Sequence, residues 1–95
     1  MPPSPSVAVA SLGHVQRPVR VTLIGKPGCH LCDDARAVVE QVTAELGVAY
    51  EERSILDDAA LHAAYWEQIP VTLVDGRRHD YFHVDPVRLR AALSG

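Results

Sequence analysis

From Val19 to Ile24 the chain is rich in β-branched residues, with apolar Val19, Val21, Leu23 and Ile24 around Arg20 and Thr22, and Gly25 ends the run. This predicts a short strand feeding the loop Gly25-Lys26-Pro27-Gly28. Beyond the loop the period changes. Apolar residues at Leu31, Ala35, Val38, Val39, Val42 and Leu46 recur every three or four positions, while Asp33, Arg36, Glu40 and Gln41 take the opposite face. That spacing predicts an amphipathic helix, and Gly47 stands where a helix C-terminus favours glycine. Val48 to Ser54 then predicts a second strand. Strand, helix and strand in this order form a βαβ unit, whose strands are parallel and joined by a right-handed crossover.

A second helix is predicted from Asp57 as N-cap through Ala59, Ala60, Leu61, Ala63, Ala64 and Tyr65 to about Glu67, stopping before Ile69-Pro70. Val71 to Val74 follows as a strand, starting just after a proline, where a missing N–H costs least. Asp75-Gly76 is a hairpin signal. Residues Arg78 to Val84 alternate, with His79, Tyr81 and His83 on one face and Asp80, Phe82 and Val84 on the other, which predicts an antiparallel return strand. Asp85-Pro86 opens a last short helix carrying Val87, Leu89, Arg90 and Leu93. The predicted order is β-α-β-α-β-β-α, an α/β fold. Within it Trp66 reads as a partly buried packing residue and Arg77-Arg78 as a solvated hairpin tip. The His79, Tyr81 and His83 face reads as the surface of an edge strand.

At 95 residues the chain has room for one domain. Met1 to Pro18 holds four of the seven prolines together with Ser4, Ser6, Ser11 and Gly13, so it reads as a flexible tail, leaving residues 19–95 as the domain. A strand at Val7 to Ala10 pairing with the sheet edge is the alternative. The apolar stretch Val7 to Leu12 is too short for a signal-peptide core and has no Lys or Arg before it, so a cytoplasmic setting is expected. With a net charge of −3 and a single lysine, Lys26, the chain lacks the clustered cations that a nucleic-acid or anionic membrane partner needs. A monomer is expected.

The chemistry concentrates in Cys29-His30-Leu31-Cys32. Three positions apart, the two cysteines close too small a loop to staple the fold, so the pair reads as chemistry rather than scaffolding. Cys29 falls at the start of the predicted helix, where unpaired N–H groups and the positive end of the helix dipole favour a thiolate. Cys32 lies one turn on, on the same face and within disulfide reach, and is placed to resolve a mixed disulfide on Cys29. Lys26 and His30 add positive charge nearby; Asp33 and Asp34 oppose it. Zinc is the rival, but no second C-x-x-C follows and the only later histidine pair is His79 and His83 on a strand. Asp33 in place of histidine excludes haem attachment, and Arg36 is wrongly spaced for a phosphatase loop. Two inert buried thiols are the remaining reading.

The stretch Gly25-Lys26-Pro27-Gly28-Cys29-His30-Leu31-Cys32-Asp33, together with the element order from Val19 to about Leu93, resembles the glutaredoxin branch of the thioredoxin superfamily, and most closely its short glutaredoxin-like proteins. The resemblance implies a thioredoxin/glutaredoxin-like fold: a mixed four-stranded sheet with helices on both faces. It implies a thiol–disulfide oxidoreductase in which Cys29 is the nucleophile and Cys32 the resolving thiol. Ile69 and Pro70, the latter a cis-proline, would face the disulfide and align the substrate, with Lys26 and His30 at the substrate's edge. No cofactor or metal is implied. The partners are a disulfide-bearing protein or small thiol and an external reductant. Glutaredoxins that bind glutathione usually carry an aromatic beside or inside the C-x-x-C and a Gly-Gly pair after the last strand. Here Gly28, His30-Leu31 and Phe82-His83-Val84-Asp85 stand in those places, so glutathione is one possible co-substrate among low-molecular-weight thiols. A protonated His30 would make the disulfide more oxidising. The alternatives are a non-catalytic thioredoxin-fold module or redox sensor docking at Ile69-Pro70, and metal or iron–sulfur binding through Cys29.

Overall fold

The computed structural model describes residues 18–94. The tail assigned to residues 1–18 lies outside these residues except for Pro18, as does the alternative strand at Val7 to Ala10. The elements are β1 (Val19–Gly25), α1 (His30–Leu46), β2 (Ala49–Ser54), α2 (Ala59–Tyr65), β3 (Val71–Val74), β4 (Arg77–Tyr81) and α3 (Pro86–Ser94). They follow the predicted β-α-β-α-β-β-α order. The sheet runs β2-β1-β3-β4, with β1 parallel to β2 and antiparallel to β3, and β3 antiparallel to β4.

The apolar residues of β1 fall on both of its faces because both are covered towards its carboxyl end. Val21 and Leu23 meet Ala35, Val39 and Val42 of α1 and Leu89 and Leu93 of α3 on one side. Ile24 joins Val71 and Ile55 on the other, where Leu61 and Tyr65 of α2 pack. Helices therefore lie on both faces of a mixed sheet. Gly47 takes the left-handed conformation (φ 69°) that ends α1, and Asp75 and Gly76 (φ 52° and 81°) form the two-residue hairpin.

Four local expectations change. The N-cap of α2 is Asp58, not Asp57: its extended backbone lets the carboxylate accept from the N–H groups of Ala60 and Leu61 at 2.8 and 3.2 Å. The helix ends at Tyr65 instead of near Glu67, because the chain tightens through a Gln68 N–H to Tyr65 carbonyl bond before a proline that disfavours helix at the preceding residue. Trp66 is thereby left at the helix end, 54% exposed and stacked on His62, more open than the partly buried packing residue expected. The return strand stops at Tyr81, not Val84. Phe82 adopts a left-handed φ of 68° that turns the chain out of the sheet, and its N–H bonds to the Pro70 carbonyl at 2.7 Å.

Candidate active site

The turn from β1 into α1 sets the two thiols in different environments. Gly28, at φ 74°, reverses the loop, and Cys29 is extended (φ −105°, ψ 114°) as the N-cap of α1. Its Sγ accepts the Cys32 N–H at 3.2 Å, and its carbonyl accepts the Asp33 N–H at 3.1 Å, closing the first helical turn. A sulfur thus performs the task usually given to a Ser or Asp oxygen. Cys29 stays partly accessible. Cys32 is buried to 1% exposure, and the two cysteines are free thiols side by side in the fold.

Cys32 rests on Gly25. A Cβ at position 25 would lie 2.7 Å from the Cys32 Sγ and 3.3 Å from its Cβ, so the absence of a side chain there is what admits the sulfur. Burial pushes the Cys32 thiol up to about 11, with its hydrogen bond to Cys29 acting the same way; the Lys26 backbone and the Arg36 charge oppose them. The two thiols therefore differ in access, and Cys32 is held protonated well above neutral pH. Iodoacetamide at pH 8 is expected to modify one cysteine per folded chain, Cys29, with Cys32 labelled only as the pH approaches 11; peptide mapping after labelling reads this directly, and equal labelling of both at pH 8 would contradict it.

The Ile69–Pro70 peptide bond is cis. The pairing of Ile24 with Val71 brings the next residues outward, Gly25 and Pro70, to the same end of the sheet, so the Cys32 seat and the proline loop are neighbours. Pro70 is fully buried and Ile69 partly so. Phe82, strained and 40% exposed, stands edge-to-face with Tyr81 at 5.3 Å. Lys26 and His30 are exposed on either side of Cys29 in the chain. Lys26 borders an open groove of about 300 Å³ with Gly25, Pro27, Arg36, Glu52, Arg53, Ser54 and Asp57. Across it, Arg36 bonds Glu52 through Nε and a terminal nitrogen at 2.6–3.0 Å and Asp33 at 2.8 Å; Glu52 first and Asp33 second hold the guanidinium protonated. Asp33 therefore faces a cation. Among the described residues no three His, Cys, Asp or Glu side chains are grouped so as to hold a metal ion.

Sequence reasoning passed over three of these residues. Gly25 was visible only as a strand terminator, although a glycine closing a strand beside a reactive pair is the pattern expected where another group approaches the backbone. Arg36 lies four residues after Cys32, one helical turn away, which could have pointed to it. Nothing local in the sequence marks Phe82 as left-handed.

A mixed sheet that delivers a C-x-x-C pair to a helix N-terminus beside a cis-proline defines a glutaredoxin-like protein of the thioredoxin superfamily. More narrowly, the chain belongs to the family described as the glutaredoxin-like domain (DUF836), whose profile matches residues 20–94. It is 31% identical over 80 residues to Uncharacterized protein Rv0508 of Mycobacterium tuberculosis, covering 79% of this chain and 82% of that one. The X-ray structure of the Northeast Structural Genomics target protein XcR50 from X. campestris is 38% identical, with a TM-score of 0.64 over 78% of this chain and 95% of that one. Fasciola hepatica thioredoxin, at 19% identity and a TM-score of 0.56 over 94% and 91% of the two chains, shares the fold.

Proposed function

We propose that the protein is a thiol–disulfide oxidoreductase. The observation that carries this reading is the asymmetry of the pair: an accessible Cys29 whose sulfur receives a backbone N–H, and a buried, protonated Cys32 directly behind it. The first is built to attack and the second to wait. The Cys29 thiolate attacks one sulfur of a substrate disulfide, forming a mixed disulfide and releasing one thiolate. Cys32 then gives its proton to the second departing thiolate and attacks the Cys29 sulfur, so the substrate gains two electrons and the protein leaves as the Cys29–Cys32 disulfide. An external low-molecular-weight thiol, or a reductase, returns the pair to dithiol. Ile69 and Pro70 would align the substrate, with Lys26 and His30 at its edge, in a cytoplasmic monomer that takes protein or small disulfides. No helix of the described residues is long and apolar enough to cross a membrane.

The test is interception. Cys32→Ser treated with hydroxyethyl disulfide is expected to accumulate one stable adduct on Cys29, resolved by mass spectrometry, while the unaltered chain passes through the adduct and ends two hydrogens lighter with no adduct retained. A chain that forms neither adduct nor internal disulfide is not an oxidoreductase.

A further inference from the structure

To resolve a mixed disulfide, Cys32 has to carry a negative charge, and it sits in a poor place for one. It is 1% exposed, with Gly25 of β1 against its sulfur. A thiolate left alone there meets the full cost of an unpaired buried charge. Either the sulfur moves out to water before it reacts, or a group in the fold faces the charge as it forms.

The groups around this sulfur come from four directions. Its own turn of α1 contributes the Cys29 sulfur, which opposes ionisation. The loop after β1 contributes the backbone of Lys26, which favours it, while the Lys26 side chain is exposed. The loop before β3 brings Gln68, Ile69 and Pro70, none of them charged. The fourth direction is the next turn of α1. Arg36 follows Cys32 by four residues, so the two side chains are neighbours on one helix face, with Cβ atoms about 5–6 Å apart. Gly25, which seats the sulfur, lines the same groove wall as Arg36.

An arginine on a helix surface ordinarily samples many rotamers. This one is tied. Glu52 of β2 accepts from its Nε and one terminal nitrogen at 2.6–3.0 Å, and Asp33 accepts from the other at 2.8 Å. Its planar fork is thus engaged on two sides, and a guanidinium keeps its charge throughout the working pH range. The two carboxylates that fix the cation also weaken its field, Asp33 the less because its side chain is 60% exposed and screened by water. Asp34 on α1 and Arg53 and Asp57 along the groove are exposed as well.

We propose that Arg36 is a positioning residue of the resolving step, its guanidinium held beside Cys32 by β2 so that the buried sulfur can bear a negative charge as it attacks Cys29. This rests on the oxidoreductase reading and adds to it the group that assists the second step. In that step the Cys32 proton goes to the departing substrate thiolate and the Cys32 sulfur bonds the Cys29 sulfur. The bond between Cys29 and the substrate breaks, its electron pair leaving on the substrate sulfur.

The sign of the effect separates this role from that of a simple tether. Arg36→Gln and Glu52→Gln break the same bond between α1 and β2, so a tether would move both variants the same way. A charge acting on Cys32 moves them oppositely: the first removes the cation and frees two carboxylates, the second removes a carboxylate and leaves the cation less neutralised. Cys29→Ser chains labelled at the cysteine Cβ for NMR read this directly, because the one remaining cysteine signal follows its own ionisation with pH. Arg36→Gln is expected to raise the pH of half-ionisation by about 0.5 and Glu52→Gln to lower it by about as much, the scale of a half-exposed charge pair. Arg36→Lys, which keeps the charge, should lie closer to the starting chain than Arg36→Gln does. With both cysteines present, single-turnover mass spectrometry with hydroxyethyl disulfide should show the Cys29 adduct resolving about twofold slower in Arg36→Gln and about twofold faster in Glu52→Gln. The rate changes less than the thiolate population because a more basic thiolate is the better nucleophile. Shifts in the same direction in the two variants, or none, overturn the role; a loosened fold would bring both down towards the ordinary thiol value of about 8.5. Opposite shifts in a chain that forms neither adduct nor internal disulfide would sink the oxidoreductase reading and keep the action of Arg36 on Cys32. Unmoved titrations in a chain that turns over would do the reverse.

Discussion

Cys29→Ser is expected to bring disulfide exchange to the uncatalysed background, a loss of about three orders of magnitude or more, with little change in thermal stability. Both halves follow from one geometry. The Cys29 sulfur is the group proposed to attack and is also the N-cap that accepts the Cys32 N–H. Serine is among the better N-cap residues, so its oxygen keeps the first turn of α1 closed. It forms no disulfide. Reduction of a small disulfide followed alongside thermal unfolding separates the two roles; retention of more than a few per cent of the rate would place the nucleophile elsewhere.

The second large effect is expected from a residue with no reactive group. Gly25→Ala puts a methyl group 2.7 Å from the Cys32 sulfur, closer than packed atoms approach, in a spot with no free surface to absorb the shift. Overpacking of this kind costs about 1–3 kcal/mol, and for a domain of this size each kcal/mol lowers the unfolding midpoint by about 4–8 °C. The sulfur that moves is the one proposed to resolve, so the mixed disulfide on Cys29 should persist longer in single-turnover mass spectrometry. Combining Gly25→Ala with Cys32→Ala removes the clashing sulfur and should restore part of the lost stability, a coupling that a double-mutant cycle measures. Additive losses would show that the two positions do not share this packing.

Much of this arrangement was legible before any coordinates, for identifiable reasons. Val19 to Ile24 reads as a strand because β-branched side chains favour the extended backbone. The α1 stripe through Ala35, Val39 and Val42 is the stripe that packs on Val21 and Leu23. The C-x-x-C position needed only a strand end and a helix start. What escaped were effects that arise between segments. Asp57 and Asp58 are equally good N-cap types, and the backbone, not the residue, selects Asp58. The left-handed turn at Phe82 accompanies a bond to Pro70, twelve residues earlier, and the Gly25 seat exists only once α1 folds back over β1. Periodicity sees neither.

The outer strands of the sheet, β2 and β4, carry Glu51, Glu52 and Arg53 on one rim and Arg77, Arg78 and Asp80 on the other. Charges on edge strands resist templating by foreign chains. Under the oxidoreductase reading proposed above, a protein client joined through a cysteine would arrive partly unfolded, and an open apolar edge would invite it to aggregate. With both rims charged, such a client would be steered away from strand addition, and the disulfide would be its one tie to this domain.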